Sequence, residues 1–289
     1  VDATFGFGGY TKKILDKTEC QVIAIDRDPE VERHTQKFNK NYKKRFKFFL
    51  GKFSNLKNIL AKEGLEFISG GIVADLGMSS MQIENQQRGF SFMKEGPLDM
   101  RMSKNGTTAE EVINTLDEQE LANIFWKYGE EKNSRKIAKT IVKERKSRAI
   151  STTFELVKII QKVVPKRNNR IHPATKVFQS LRIFINNEIE ELNDLLASAE
   201  NLLLPGSRLA IVSFHSLEDR LIKLKFNKLV GYIPNANRHL PTNISKKKPH
   251  FKKVFKNIIT PKDNEIDINR RARSAKLRVI EKIQKGEMQ

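Results

Sequence analysis

The sequence has a single cysteine, Cys20, and no long run of apolar residues. One thiol excludes an internal disulfide, and this scarcity is typical of intracellular proteins, whose thiols stay reduced. A helix that crosses a bilayer needs about 20 consecutive apolar residues, and no stretch approaches that length. The composition therefore excludes a disulfide-rich secreted domain and predicts a cytoplasmic protein with no membrane contact.

Acidic residues are also few relative to basic ones. The chain has 54 Lys and Arg residues against 34 Asp and Glu residues, which gives a formal net charge of +20. The basic residues cluster in three stretches, at 39–47, 131–148 and 246–256. Such clusters attract phosphate polyanions, so they favour nucleic acid as the partner. A solvated basic surface without a partner is the simpler alternative.

Short apolar runs alternate with helical stretches over the first hundred residues. The runs at 21–26, 46–50 and 71–77 are short and bounded by polar residues, as buried strands are. Strands that alternate with helices indicate βαβ units and a parallel sheet. We therefore predict an α/β fold with a doubly wound, Rossmann-like core.

The pattern changes near residue 100. From 107 to 164, capping boxes such as Thr107 with Glu110 and apolar residues at helical spacing predict helices and no strand. The later elements are expected to be one long helix over 178–199, a strand at 208–214, a helix at 217–229, and strand-like runs at 254–259 and 275–283. The predicted segments are a first core part at 1–103, an all-helical substrate-recognition insert at 104–175, and a second core part at 176–289.

A glycine-rich turn follows the first residues of the chain. Gly6, Gly8 and Gly9 lie between a predicted strand and a predicted helix. Glycine lets a ligand approach the backbone closely, and a helix N-terminus offers free N–H groups. Asp26 ends the next apolar run, where an acid can accept hydrogen bonds from both hydroxyls of a ribose. The spacing predicts a nucleoside-type ligand; a structural turn without a ligand is the alternative.

Two classes of cofactor use this arrangement. A dinucleotide site favours the pattern G-x-G-x-x-G, but Thr11 stands where the third glycine belongs. Ligands without a pyrophosphate, such as S-adenosylmethionine, tolerate a looser glycine turn. The pattern therefore favours S-adenosylmethionine over a nicotinamide cofactor.

Longer motifs occur along the chain in an order that indicates a family. They are "DATFGFGGYT", "AIDRDP", "GKFSNL", "DLGMSSMQ", "RGFSF" with "GPLDMRM", "YGEEK", "HPATKVFQSLRIFINNE", "SFHSLEDR" and "RARSAKLR". Together they resemble the small-subunit (16S) ribosomal RNA cytosine-N4 methyltransferases of the MraW or RsmH type, from the first residues to about Ile283. The family has a leader before the position of Val1, so we expect the sequence to be truncated at its N-terminus.

The resemblance implies a function and its setting. It implies an S-adenosylmethionine-dependent enzyme that methylates the exocyclic N4 of a cytosine in the decoding region, on small-subunit ribosomal RNA or a 30S-type particle. No metal is required, because the sulfonium of the cofactor supplies the driving force. A bacterial cytoplasmic enzyme is favoured over a mitochondrial relative, and a homodimer stays open.

The resemblance also implies cofactor contacts at the positions that match the family's motifs. These are Gly8, Gly9, Tyr10, Asp26, Phe53, Asp75 and Gln82. Tyr10 departs from the family, which more often has histidine there; a backbone contact survives this change, whereas a side-chain contact is in doubt. Phe53 has a core aromatic role as its alternative. Asp75 ends an apolar strand, where a carboxylate needs partners, so a helix cap is its alternative.

The catalytic group is less firmly indicated. The N4 amine of cytosine is a poor nucleophile because its lone pair is delocalised into the ring, so an acceptor for an N4 hydrogen would assist methyl transfer. DNA amino-methyltransferases place an acid or polar residue with prolines and an aromatic after the fourth strand, and "DLGMSS" stands there instead. Asp75 is the first candidate and His215 the second, with a loop-orienting role for His215 equally favoured. Ser213, His215 and Asp219 lie too close in sequence to favour a hydrolase triad.

The substrate contacts are predicted from the same motifs. A target base must be unpaired or flipped, then held by stacking and hydrogen bonds. The predicted contacts are Arg88, Phe90, Phe92, Asp99 and Arg101 between core and insert, and Arg271, Arg273 and Lys276 near the C-terminus, where Arg270 replaces the family's usual proline. Surface charge without a role is the alternative for the basic ones. A non-enzymatic RNA-binding or ribosome assembly factor, and a methyltransferase acting on another RNA, are the alternative functions.

Overall fold

The computed structural model describes residues 1–165, 172–232 and 249–284. Two compact units divide the chain: the first combines Val1–Gly77 with Ile189–Gln289, and the second is Met78–Glu188. The insert boundaries expected from the sequence, 104 and 175, both lie inside the second unit. In the described residues no helix combines the length and the apolar character that a membrane crossing requires.

The described elements follow one another along the chain. The strands are β1 (Val22–Asp26), β2 (Phe46–Leu50), β3 (Gly71–Asp75), β4 (Arg208–Ser213), β5 (Phe251–Lys253) and β6 (Lys276–Lys282). The helices are α1 (Gly9–Lys17), α2 (Glu32–Tyr42), α3 (Leu56–Lys62), α4 (Ser80–Glu84), α5 (Ala109–Thr115), α6 (Glu118–Gly129), α7 (Ser134–Arg145), α8 (Thr153–Val163), α9 (Thr175–Asn186), α10 (Glu188–Leu202), α11 (Ser216–Leu229) and α12 (Asp263–Ile268).

The first unit is built on a sheet whose strands wind outward in two directions. β1 pairs with β2 in parallel, and β3 pairs with β4 in parallel. The opening residues run between β1 and β3, because Asp2 forms parallel bridges to both Ala24 and Val73. β6 joins β4 antiparallel, and β5 lies beside β6. This order confirms the predicted doubly wound, Rossmann-like core.

The core of this unit forms where helices cover the sheet. In α10, Leu192, Leu195, Leu196 and Ala199 recur at helical spacing and are all buried. In β3, Ile72 and Ala74 are buried, because alternate residues of a strand face the same side of the sheet. Their burial fixes the register of the strands, and with it the position of the residues that follow each strand.

The second unit is helical in the residues that the structure describes. Capping boxes open α5, α6 and α8, and the box at Thr152 with Glu155 confirms the sequence prediction. The box predicted at Thr107 forms one residue later, where Thr108 caps α5 with Glu111. The only strand-like contact described in this unit is the isolated bridge of Pro97 with Thr152. The described residues of the predicted insert therefore form helices, within a compact unit that is wider than the predicted bounds.

Two further expectations need correction. The single helix predicted over 178–199 is two helices, because Asn187 adopts a left-handed conformation (φ 50°, ψ 38°) that ends α9 before α10 begins. The strand predicted at 254–259 is only an isolated bridge of Ile259 with Leu277, and the strand β5 lies just before it. Most of the basic stretch before β5, at 233–248, lies outside the described residues.

Candidate functional site

The glycine turn lies where the sheet changes its direction of winding. The opening residues hydrogen-bond to both β1 and β3, through Phe5 N–H to Ile25 O (2.9 Å) and Ala3 N–H to Val73 O (2.8 Å). The turn follows these residues, and α1 begins at Gly9. In open α/β sheets, ligands bind at this switch point, outside the carboxyl ends of the strands. The predicted cofactor residues Gly8, Gly9 and Tyr10 are therefore placed at a suitable edge.

Gly8 is required by the backbone of the turn. It caps α1 in a left-handed conformation (φ 76°, ψ 24°), and a Cβ atom there would overlap the Phe38 ring and lie 2.8 Å from Cε2 of Phe5. Both rings are buried, so neither can move away cheaply. At Gly9, by contrast, an added Cβ meets nothing within 4 Å. There is therefore room for a ligand to approach the backbone at Gly9, the first residue of α1.

Replacing Gly8 with alanine is expected to destabilise the fold by more than backbone strain alone. A left-handed non-glycine residue costs about 1–2 kcal/mol, and overpacking a core adds about 1–3 kcal/mol. Gly64→Ala is the matched control, because Gly64 also has a positive φ (67°) but no atom within 4 Å of the added Cβ. Urea unfolding of both variants measures the difference. Equal losses of stability would show that the contacts with Phe38 and Phe5 are unimportant.

Asp2 is a site residue that the sequence reasoning missed. Its buried carboxylate accepts hydrogen bonds from the Thr11 hydroxyl (2.7 Å) and the Thr4 N–H (3.2 Å), and also from the Thr11 backbone N–H. Gly8 has no side chain to cap α1, so Asp2 satisfies part of the helix N-terminus from the neighbouring strand. Burial raises the pKa of Asp2, and these hydrogen bonds oppose that rise.

Asp26 holds the glycine turn from the end of β1. Its Oδ2 accepts a hydrogen bond from the Gly6 N–H (2.8 Å), and its Oδ1 accepts one from the Asp28 N–H (2.9 Å). Burial raises the pKa of Asp26, while the two backbone donors lower it. An ionised carboxylate has about four acceptor positions, so two remain for a ligand with paired hydroxyls. The geometry fits the predicted ribose contact.

Asp75 combines a buried, unmatched side-chain oxygen with a raised pKa. Its Oδ1 is buried and has no hydrogen-bond partner in the part of the chain that the structure describes. Burial, followed by repulsion from Asp2 and Glu218, raises the pKa of Asp75 to about 6. Its backbone N–H donates to the Thr4 hydroxyl (2.7 Å), so the main chain is fixed while the side-chain oxygen stays unmatched. A buried acceptor of this kind calls for a ligand that donates a hydrogen bond or carries positive charge.

The aromatic candidates of this unit differ in exposure. Tyr10 is exposed on the first turn of α1, and burial of its hydroxyl, followed by the charges of Asp75, Asp2 and Glu265, raises its pKa to about 12. Phe53 opens a 3-10 turn just after β2 and packs partly buried against the core. Phe53 therefore packs against the core, as its alternative role predicts, while part of the residue stays exposed.

His215 caps helix α11. Its Nδ1 accepts from the Glu218 N–H (3.4 Å), while Oε2 of Glu218 accepts from the Phe214 N–H (2.9 Å). Oε1 of Glu218 lies 3.0 Å from Nε2 of His215. These contacts make His215 the N-cap of α11, a geometry that fits the orienting role predicted as the alternative to catalysis. Asp219 instead binds Lys276 (3.0 Å) and Arg278 (2.8 Å), and these cations lower its pKa against the effect of burial.

Most of the predicted substrate residues in the second unit contact other residues of that unit. Arg88 is buried and donates to the carbonyl oxygens of Arg101 (2.9 Å) and Met102 (2.8 Å). Phe90 is buried beneath the Arg88 guanidinium, with 5.8 Å from its carbon to the ring centroid. Asp99 and Arg101 form an ion pair (2.7 Å). The geometry of Arg88 and Phe90 supports a structural role and gives no support to substrate contact.

Two further candidates of this unit are placed differently. Phe92 is half-buried and stacks on His172, with ring centroids 4.8 Å apart and planes 11° from parallel. Gln82 is buried, and its side chain accepts from the Ser79 N–H (3.0 Å) in the capping box of α4. Sequence analysis missed this cap, although Ser79 stands three residues before Gln82, the spacing of a capping box.

The C-terminal basic candidates lie in the first unit. Arg271 and Arg273 are exposed on a 3-10 turn that precedes β6. Lys276 opens β6, and its amino group contacts Asp219. The arginines are therefore accessible to a phosphate, whereas the charge of Lys276 is already matched by a carboxylate.

Comparison with known sequences decides the family. Residues 1–283 match the MraW methylase family. The chain belongs to this family. It is 46% identical to the "Ribosomal RNA small subunit methyltransferase H" of Ehrlichia canis over 285 residues, which cover 98% of this chain and 93% of that protein. Proteins of the same name from Rickettsia bellii and Rhodospirillum rubrum are 45% and 43% identical, covering 98% of this chain and 92% and 87% of theirs.

A structural relative is more distant. The crystal structure of a Streptococcus mutans protein in complex with SAH covers 98% of this chain and 86% of that chain, with 14% identity and a TM-score of 0.39. This likeness is too low to carry an argument about the site. The sequence motifs and the family match already show the family without this likeness. In this chain the glycine turn, Asp26 and Asp75 lie along the carboxyl edge of one sheet.

Proposed function

We propose that this protein transfers a methyl group from S-adenosylmethionine to the exocyclic N4 of a cytosine in small-subunit ribosomal RNA. Membership of the MraW methylase family supports methyl transfer, and the names of the relatives, ribosomal RNA small subunit methyltransferases, support the RNA. The observation that carries the proposal is Asp75, whose buried and unmatched oxygen lies at the end of β3. Such a group is costly in a resting protein and is typical of a functional site.

The residues of the first unit fit the cofactor. Asp26 has two acceptor positions for the ribose hydroxyls, and the first turn of α1 offers backbone N–H groups beside open space at Gly9. The carboxyls of Asp2, Asp26 and Asp75 all have raised pKa values, so a cationic ligand stabilises their ionised forms. When bound, the cofactor supplies an electrophilic methyl group on a positively charged sulfur.

Asp75 is the group we assign to the amine. Its ionised carboxylate accepts a hydrogen bond from the N4 amino group, which withdraws the nitrogen lone pair from the ring and favours attack on the methyl group. Because its pKa is about 6, the carboxylate is mostly ionised at neutral pH yet basic enough to hold a proton as the amine loses one. No metal has a part in this assignment.

The remaining assignments are extensions of the same proposal. Phe53 and Gln82 are proposed cofactor contacts, and His215 is proposed to orient the loop after β4 through Glu218. Phe92, Arg271 and Arg273 are the accessible substrate candidates. A 30S-type particle as substrate, a cytoplasmic location and a homodimer belong to the proposal and await their own tests.

Transfer of a labelled methyl group tests the function. The purified protein is incubated with tritiated S-adenosylmethionine and either 30S-type particles, protein-free small-subunit RNA or large-subunit RNA. We expect label in small-subunit RNA only, and the first two arms separate the particle from the naked RNA. Label in large-subunit RNA would indicate another RNA substrate, and RNA binding without any label would indicate an assembly factor.

The basic face of α7 is expected to contribute to RNA binding. Lys136, Lys139 and Lys143 are exposed at helical spacing, and none forms an ion pair within the described ranges. Each lysine that neutralises a phosphate of single-stranded RNA adds about 0.7 to the slope of log K against log salt. Changing all three to glutamine should lower the slope by about 2 in a fluorescence titration. An unchanged slope would mean that this face contacts only solvent.

A further inference from the structure

A cleft opens in the first unit between helix α11 and the paired strands β5 and β6. Basic side chains line it from both sides: Lys223 from α11, Lys253 from β5, Lys256 just after β5, and Arg278 from β6. The described residues that line the cleft include no Asp or Glu. The cleft is shallow and open to solvent, with about 400 Å³ of space including its mouth, so a ligand would lie along it with one side exposed.

Three of these charges have no counter-ion in the structure. Lys223, Lys253 and Lys256 are exposed, and none has a carboxylate within ion-pair distance in residues 1–165, 172–232 and 249–284. Arg278 differs, because its Nε donates to Oδ1 of Asp219 (2.8 Å). Three neighbouring, uncompensated lysines form an attractive site for a chain of phosphates.

Exposed aromatic rings accompany the lysines. Phe255 lines the cleft and is 46% exposed, and Tyr232 is 57% exposed. The Lys253 amino group lies 5.9 Å from the centroid of the Tyr232 ring, which places a cation and an aromatic face together. Bases of single-stranded nucleic acid stack on such rings, while lysines beside them contact the backbone.

We propose that this cleft binds a single-stranded segment of the RNA substrate, with phosphates at the three lysines and a base stacked on Phe255. The inference rests on the proposed function, which supplies RNA as the substrate. Single-stranded RNA is favoured over a duplex because stacking on Phe255 needs an unpaired base. It is favoured over an acidic protein segment because the aromatic faces and the spaced cations together match a polynucleotide.

The cleft is removed from the glycine turn along α11. This helix starts just after β4, at the edge that carries the candidate site, and the cleft residues lie in its second half. At 1.5 Å per residue, Lys223 is about 10 Å along the helix from its start. The cleft therefore holds RNA that flanks the target base, and its loss should raise the KM for RNA and leave the affinity for S-adenosylmethionine unchanged.

Two sets of variants test the cleft in the full chain, with protein-free small-subunit ribosomal RNA as the probe. Phe255→Ala is expected to weaken RNA binding by about 5-fold to 150-fold, the range that corresponds to the loss of one base–aromatic stack, whereas Phe255→Tyr should bind as the wild type does. Lys253→Gln combined with Lys256→Gln should lower the salt slope by about 1.4. Lys57→Gln with Lys62→Gln is the matched control, because both are exposed lysines on α3 of the same unit.

The outcomes separate this inference from the proposed function. The inference would be overturned if the cleft variants kept the RNA affinity and the salt slope of the wild type. It would also be overturned if the α3 control variant lost as much affinity and slope as the cleft variants. Weaker binding to 30S-type particles with unchanged binding to protein-free RNA would also overturn it, since the cleft would then contact a protein of the particle. RNA binding that depends on the cleft, in a protein that transfers no methyl group, would count against the proposed function alone.

Discussion

Asp75→Asn is expected to lower the rate of methyl transfer by about 100-fold or more, the contribution typical of a positioned acid or base. Asparagine keeps the size of the side chain and still offers one oxygen, but it carries no charge and cannot take up a proton. Single-turnover transfer at saturating cofactor and RNA measures the effect. Asp194→Asn is the matched control, because Asp194 is exposed on α10 of the same unit.

The raised pKa of Asp75 gives this variant a second, independent signature in stability. The carboxyl has a pKa of about 6 in the folded state against 3.8 for an ordinary aspartate. Its preference for the protonated form adds to the free energy of unfolding; this addition is fully present below pH 4 and is lost as pH rises through 6. The shift corresponds to about 3 kcal/mol at most. Relative to wild type, the free energy of unfolding of Asp75→Asn should rise by up to that amount between pH 4 and pH 8. A constant difference across this range would contradict the buried, raised pKa.

Asp26→Ala is expected to weaken binding of S-adenosylmethionine by about 150-fold or more and to leave RNA affinity nearly unchanged. Each hydrogen bond to a charged group contributes about 1.5–3 kcal/mol, and the variant loses those that the ribose hydroxyls would make. Calorimetric titration measures cofactor affinity, and the fluorescence titration measures RNA affinity. Equal losses of both would contradict separate sites for cofactor and RNA.

The same substitution also removes a structural contact, which a control must separate. Asp26 binds the N–H groups of Gly6 and Asp28, so alanine leaves two backbone donors without their acceptor. Asp26→Asn keeps an oxygen for one of them. We expect the asparagine variant to regain only part of the lost stability, because its amide nitrogen cannot accept the second N–H. It should regain little of the cofactor affinity, because the charge that binds the hydroxyls is gone. Full recovery of affinity would show that Asp26 acts only through the turn.

Much of the fold could be predicted from the sequence because local patterns and packing agree. β1, β2, β3 and β4 are short apolar runs, and each forms within a residue or two of its predicted place. The position of Asp26 beside the glycine turn could also be predicted from spacing alone, since the end of a strand and a glycine turn meet at one edge of the sheet. These features depend on neighbours in sequence or on rules of topology that hold for every parallel sheet.

Other features depended on contacts that no local pattern reveals. The break at Asn187 interrupts an apolar spacing that continues across it, and only the left-handed backbone shows the end of α9. Arg88 looks like a contact for the substrate base in sequence, yet its guanidinium donates to carbonyl oxygens thirteen and fourteen residues later. No sequence pattern marks Asp2 before the glycine turn. Its contact with the start of α1 is seen only in the structure, where the Thr11 hydroxyl donates to its carboxylate.

Mass spectrometry of nucleosides tests the central claim most directly. Small-subunit RNA is treated with wild-type protein and S-adenosylmethionine that carries a deuterated methyl group, then digested completely to nucleosides. We predict a single labelled species, cytidine methylated on N4, whose yield after a short, matched incubation is about 100-fold lower with the Asp75→Asn variant. A label on C5 of cytosine, on a ribose hydroxyl or on another base would contradict the assignment of Asp75 to the amine, and no labelled nucleoside at all would contradict the proposed function.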